Sequence, residues 1–180
     1  MLIAVAVAVV AWRLFSSRSP VPGETERSTV ASTEVPCDPE LTRVEEVAGL
    51  AVAYPECYES AGSTSPNDRF HGLTLTDPGG MTQITVAITV VPPERWDRFV
   101  SGKREMASGD CRITDDSGWQ VWRCPSAAYR SIELVGHNRT IAITAVLPDD
   151  LLDTDLATFV ADVFERMVAR LRAQAPEAAP

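Results

Sequence analysis

The sequence predicts an α+β domain in which an antiparallel sheet of hairpins is packed by a short helix and a long C-terminal helix. Two observations carry that expectation. Short segments of period-two alternation recur between turn residues, and an apolar stripe of helical period closes the domain.

Residues 50–54, Leu-Ala-Val-Ala-Tyr, read as a strand stopped by Pro55. Residues 72–76 alternate Leu73 and Leu75 with Thr74 and Thr76, and Asp77-Pro78-Gly79-Gly80 turns tightly into a strand over residues 81–91. There Ile84, Val86, Ile88 and Val90 share one face, while Gln83, Thr85, Ala87 and Thr89 share the other. Pro92-Pro93 ends the pairing, and Pro93 suits the first turn of a helix carrying Trp96, Phe99 and Val100 at helical spacing. That helix is expected to cover the hairpin.

Residues 111–115 and 120–124 flank Asp116-Ser117-Gly118-Trp119, and residues 129–135 and 139–147 flank Gly136-His137-Asn138. Both pairs read as hairpins. In the last helix Leu156, Phe159, Val160, Val163, Phe164, Met167, Val168 and Leu171 form one stripe, with acidic residues early and arginines late. Residues 173–180 are Ala/Pro-rich and read as a disordered tail.

Upstream, residues 2–11 are an unbroken apolar run and residues 16–36 are rich in Ser, Thr, Pro and Glu. The expected organisation is a membrane anchor over 1–15, a flexible linker over 16–36, an extracytoplasmic domain over 37–172 and a disordered tail over 173–180. No basic residue precedes the apolar run and Trp12-Arg13-Leu14-Phe15 follows it, which disfavours a cleaved signal peptide. The anchor is shorter than the roughly 20 residues of a spanning helix, so it is either interfacial or lacks its upstream part. Arg13 and Arg18, just after the apolar run, would favour a cytoplasmic position for the downstream chain. The cysteines outweigh them, because four cysteines after an apolar leader read as a disulfide framework in an oxidising compartment.

A four-residue loop over 116–119, or a two-residue turn on Ser117-Gly118, sets Cys111 opposite Cys124, whereas a three-residue loop over 116–118 sets Cys111 against Arg123. The first register bridges Cys111 to Cys124 and leaves Cys37 to Cys57. Each bridge would stabilise by about 3 kcal/mol.

With 25 acidic against 16 basic residues the chain carries a net charge of -9, which disfavours nucleic acid and anionic lipid as partners. Lys103 is the only lysine among those basic residues, and Ala, Val, Arg, Asp and Thr abound. That usage points to a high-GC, actinobacterial genome.

Chemistry-bearing residues are sparse. His71 and His137 are the only histidines and have no ligand set beside them in sequence. The acidic run over 149–155 lacks the oxygen spacing and the glycine of a calcium loop and reads as helix capping. Asn138-Arg139-Thr140 fits a glycosylation acceptor, but in a bacterial chain it reads as chance. No serine sits in a Gly-x-Ser-x-Gly elbow, and bridged cysteines are not nucleophiles. The expectation is no enzyme, no metal and no cofactor.

The strand over 50–54 running into Tyr54-Pro55-Glu56-Cys57-Tyr58, the hairpin over 73–91 and the closing helix over 159–171 resemble the PsbP/Mog1-like superfamily. More narrowly, residues 49–171 resemble its actinobacterial envelope members, the LpqN-type lipoproteins and the extracytoplasmic domain of type VII secretion-associated proteins. The resemblance implies a PsbP/Mog1-like sandwich and a non-enzymatic envelope accessory module, with a secretion link. The expected location is the cell membrane, single-pass, with the C-terminal domain extracytoplasmic.

The expected function is an interaction domain that docks an envelope or secretion-system protein. Two surfaces are candidates, the sheet face carrying Thr85, Ala87, Thr89, Thr140, Ala142 and Thr144, and the aromatic group Trp119, Trp122 and Tyr129. The first is too small and polar for a dense core. A small-ligand or lipid-binding module is the alternative, marked by a cavity of roughly several hundred cubic ångströms between sheet and helices. An extracytoplasmic hydrolase is the second alternative and requires a pocket pairing a histidine with a carboxylate.

Overall fold

The computed structural model describes residues 37–65, 69–106, 110–125 and 129–174, and these form nine strands and two α-helices. The expected anchor over 1–15, the linker over 16–36 and residues 175–180 lie outside the described residues.

Strands β1 (Arg43–Val47) and β2 (Leu50–Tyr54) pair antiparallel as a separate two-stranded sheet. Ala48 and Gly49 join them at φ 51 and 70, the doubly left-handed backbone of a tight hairpin turn. The other strands are β3 (Glu59–Thr64), β4 (Phe70–Thr76), β5 (Gln83–Val90), β6 (Arg112–Asp116), β7 (Trp119–Pro125), β8 (Tyr129–Gly136) and β9 (Arg139–Val146). They form one antiparallel sheet in the order β3-β4-β5-β9-β8-β7-β6. Two meanders of neighbouring strands, β3 to β5 and β6 to β9, thus meet where β5 pairs with β9. Helix α1 (Trp96–Met106) lies between the meanders in sequence, and helix α2 (Asp155–Arg172) comes after β9.

Strand parity decides where the core sits. Leu73, Leu75, Ile84, Val86, Ile88, Ile132, Leu134, Ile141 and Ile143 point to one face and are buried. On that face lies α2, whose stripe from Leu156 to Leu171 is buried in the same cluster, with Leu50, Val52 and Tyr54 of β2 beside it. At about 1.5–3 kcal/mol per fully buried side chain, this stripe outweighs any other element's contribution. The Thr154 hydroxyl caps α2 by accepting from the Ala157 N–H, while Asp155 and Arg172 sit at the ends that suit their charges.

The α+β expectation is corrected here. The described residues are predominantly antiparallel sheet, and only one helix packs into the core. None of the residues of α1 is buried, because its apolar residues Trp96, Phe99 and Val100 are followed by Ser101-Gly102-Lys103-Arg104-Glu105. Its contacts are with β8 and the turn after it, where Lys103 pairs with Glu133 and Trp96 meets His137, so it does not cover the β4–β5 hairpin. Two strands were also not expected, β1 because Arg-Val-Glu-Glu-Val is charged and β3 because Glu-Ser-Ala-Gly-Ser-Thr is small and polar.

The β4–β5 turn is organised by Asp77, whose buried carboxylate accepts from the Gly79 N–H and from both the N–H and hydroxyl of Thr82. Ser117 and Gly118, at φ 51 and 84, close the β6–β7 hairpin as a two-residue turn. Asp115 then faces Gln120 and Arg112 faces Arg123, which rules out the register of the three-residue loop. The bridges are Cys37–Cys57 and Cys111–Cys124, with Cα atoms 6.0 and 4.3 Å apart.

Candidate functional site

The second face of the large sheet is the candidate site, and parity populates it with small residues. Reading across the strands, Thr74, Thr85, Thr144 and Ser131 form one row. Gly72, Ala87, Ala142, Glu133 and Trp122 form the next, and Phe70, Thr89, Thr140, Val135 and Gln120 the third. Thr85, Ala87, Thr89, Ala142 and Thr144 are half-buried and Thr140 is buried.

Helix α1 divides this face. Its Lys103 ammonium meets the Glu133 carboxylate in the middle of β8, and the Trp96 ring lies 5.2 Å from the His137 ring in the turn after β8. The helix therefore runs along β8. The strands beside it carry Trp122 and Thr140, each only 3% exposed. On the other side of β9, the field formed by β4 and β5 stays half-open. Its margins carry Phe70 and Val146, with Tyr129 facing Val146 and Ile113 on the β6 edge. Of the seven large apolar side chains exposed among the described residues, these four lie on this face, Phe70 at one end of the field, Val146 and Tyr129 at the other, and Ile113 beyond α1.

The expected aromatic group is not brought together, which corrects that expectation. Trp119 and Trp122 are three residues apart on one strand and so point to opposite faces. Both are buried, and the Trp119 indole N–H donates to the Gln174 carbonyl at 3.0 Å. Tyr129 alone of the three is exposed, at 44%. Parity read from Trp119 and Trp122 carried this signal in the sequence. Phe70 and Val146 were missed, although each shares parity with a threonine already placed on the face. Ala173 and Gln174 are also tied down, since the Gln174 side chain exchanges two hydrogen bonds with the backbone of Ala51.

Elsewhere the geometry is structural. The Glu45 carboxylate accepts from the hydroxyls of Ser60 and Tyr54, fastening the small sheet to β3. The bond from Ser60, then that from Tyr54, holds the Glu45 carboxyl below its usual range, and burial together with Glu45 raises the Tyr54 hydroxyl. Open clefts of about 370 and 330 Å³ flank α2, the second holding the Arg123–Glu165 ion pair. Among the described residues no three His, Cys, Asp or Glu side chains converge as metal ligands, and no helix is long and apolar enough to cross a membrane. His71 lies on β4 and His137 in the β8–β9 turn.

No family model matches the chain, and no curated protein matches it in sequence. Among solved structures, a GTP binding regulator from Thermotoga maritima is similar with a TM-score of 0.39 and 9% identity, over 66% of this chain and 82% of that chain. A likeness of that size carries no argument about fold or activity.

Proposed function

We propose that this domain is an extracytoplasmic interaction module that docks an envelope protein on the half-open field of its second sheet face. The observation that carries the reading is the distribution of residues there. Thr85, Ala87, Thr89, Ala142 and Thr144 make a flat, half-buried field, and Phe70, Tyr129 and Val146 stand exposed at its margins. Such a surface can be covered without displacing large side chains, and the exposed aromatics supply the anchoring contacts of an interface. The two disulfides favour an oxidising compartment. The resemblance of residues 49–171 to envelope proteins of the type VII secretion-associated kind guides the partner class.

The test places a photo-crosslinking residue at Ala87, with Asp162 on the exposed side of α2 as the control. A defined adduct from Ala87 with one envelope or secretion-system protein, absent from Asp162, is the expected outcome. Thr85→Arg with Thr89→Arg should abolish that adduct while moving the melting temperature little, since the positions are half-buried. Loss of the fold in the double variant, or no adduct from Ala87, would remove the docking reading.

A further inference from the structure

Beneath α1, five buried side-chain atoms have no hydrogen-bond partner among the described residues: Gln120 Oε1, Trp122 Nε1, His137 Nε2, Asn138 Oδ1 and Thr140 Oγ1. The register gathers them into one patch. Gln120 on β7 and Thr140 on β9 both flank Val135, and Trp122 stands two residues beyond Gln120, opposite Glu133. His137 and Asn138 form the turn just past Val135 and before Thr140. The patch lies directly under α1, which is held over β8 by Lys103 at Glu133 and by Trp96 at His137. A native domain leaves only a few buried polar atoms unpaired, and each is costly. Five in one place point to an occupant.

We infer that the patch takes a neutral, polyhydroxylated ligand, a saccharide, between α1 and the sheet. The chemistry of the unpaired atoms selects that class. The Trp122 indole only donates, the Gln120 and Asn138 oxygens only accept, and the Thr140 hydroxyl and His137 imidazole can do either. A carboxylate or phosphate would serve the donors, leave the acceptors orphaned and sit beside the Glu133 carboxylate. An ammonium would fail in the opposite sense, next to Lys103. A hydroxyl both donates and accepts, so a ring bearing several of them matches the mixed set. The Trp96 ring at the start of α1 and the His137 ring in the β8–β9 turn, half-buried and 5.2 Å apart, supply aromatic surface beside the patch for the C–H side of a sugar ring. Shifting α1 to admit a ligand uncovers Trp122 and Val135 but leaves intact the main core cluster, which does not include them. Ordered water is the other occupant that could pair these atoms. The inference is independent of the docking reading, which concerns the other half of the face.

The experiment monitors the indole N–H resonances of the 15N-labelled full chain in dodecylphosphocholine micelles. Methyl α-glucoside, methyl α-mannoside, methyl β-galactoside and trehalose are each titrated to about 50 mM, enough to saturate a millimolar site. At least one sugar should shift the Trp122 signal saturably while the Trp119 signal, on the opposite face, stays fixed. Thr140→Val should weaken that sugar by about tenfold, as loss of a buried pairing partner does, and Thr140→Ser, which keeps the hydroxyl, should not. The dispersed Trp119 signal reports whether each variant is folded, and a Thr140→Val chain that unfolds is replaced by Gln120→Leu with the same expected loss. No shift at Trp122 with any of the four sugars overturns the inference and assigns the patch to ordered water. So does an equal shift at Trp119, or a shift undiminished in both variants.

Discussion

On the face under α2, strand β5 presents Ile84, Val86 and Ile88, all fully buried; on the opposite face the same strand presents Thr85, Ala87 and Thr89, all half-buried. The backbone is shared, so the difference lies in the side chains and in the helix that each face receives. Helix α2 carries buried residues from Leu156 to Leu171, whereas α1 carries none. A helix covers a sheet as far as its apolar stripe extends, and α1 has apolar residues facing β8 only near its start. Stability is thus concentrated on the face that α2 covers.

The largest expected effect tests the covered face. Phe164→Ala removes a fully buried ring from the centre of α2 and should cost about 3–5 kcal/mol. Asp162→Ala, exposed and ion-paired to Arg166 one turn along the helix, should cost less than about 0.5 kcal/mol. Equal shifts in the urea midpoint would mean that α2 does not seal that face.

A smaller effect tests how closely the same face is packed. A Cβ on Gly136 would lie 2.4 Å from the ring of Trp119, its register partner on β7. Gly136→Ala should therefore cost about 1–3 kcal/mol, as overpacking does. It should also disturb the Trp119 indole resonance while leaving Trp122, on the other face, near its place. An unchanged melting temperature would show that Trp119 has room to move.

The smallest effect concerns the clasp between the two sheets. Glu45 is held below its usual range by Ser60 and Tyr54, so its charged form is favoured in the fold. Its contribution is present above the unfolded carboxylate value and lost as pH falls through the lower folded value. Glu45→Gln should be destabilising at neutral pH by less than about 1 kcal/mol, and the difference from wild type should close in acid. A gap that widens as pH falls would contradict the assignment.

Much of the covered face could be read from periodicity. The stripe of α2 and the alternation around Ile84 rest on local pattern, which strand and helix geometry translate directly into burial. The strands β1 and β3 could not be read, since Glu45 and Glu46 or Gly62 and Ser63 give no apolar alternation, and pairing alone reveals them. The position of α1 was hidden for a related reason. Its place over β8 depends on Lys103 reaching Glu133, a contact between distant residues that no local pattern encodes. The threonine field was visible through parity, but its division by α1, and the unpaired atoms underneath, required the third dimension.

The junction of β5 with β9 has a further meaning for how the chain reaches this structure. Every other pairing in the large sheet joins strands adjacent in sequence, whereas here Gln83 faces Val146 and Val90 faces Arg139 across the whole of α1 and three strands. Each meander can form at the rate of local hairpins, while closing the junction must first overcome the entropy of a long loop. Cys37–Cys57 lies before that loop and leaves its length unchanged, whereas Cys111–Cys124 lies within it and bypasses only the β6–β7 hairpin, so most of the search remains. The two halves of the sheet are therefore partners in a slow search, and Val86 against Ile143 at their seam belongs to the contacts on which the folding rate depends.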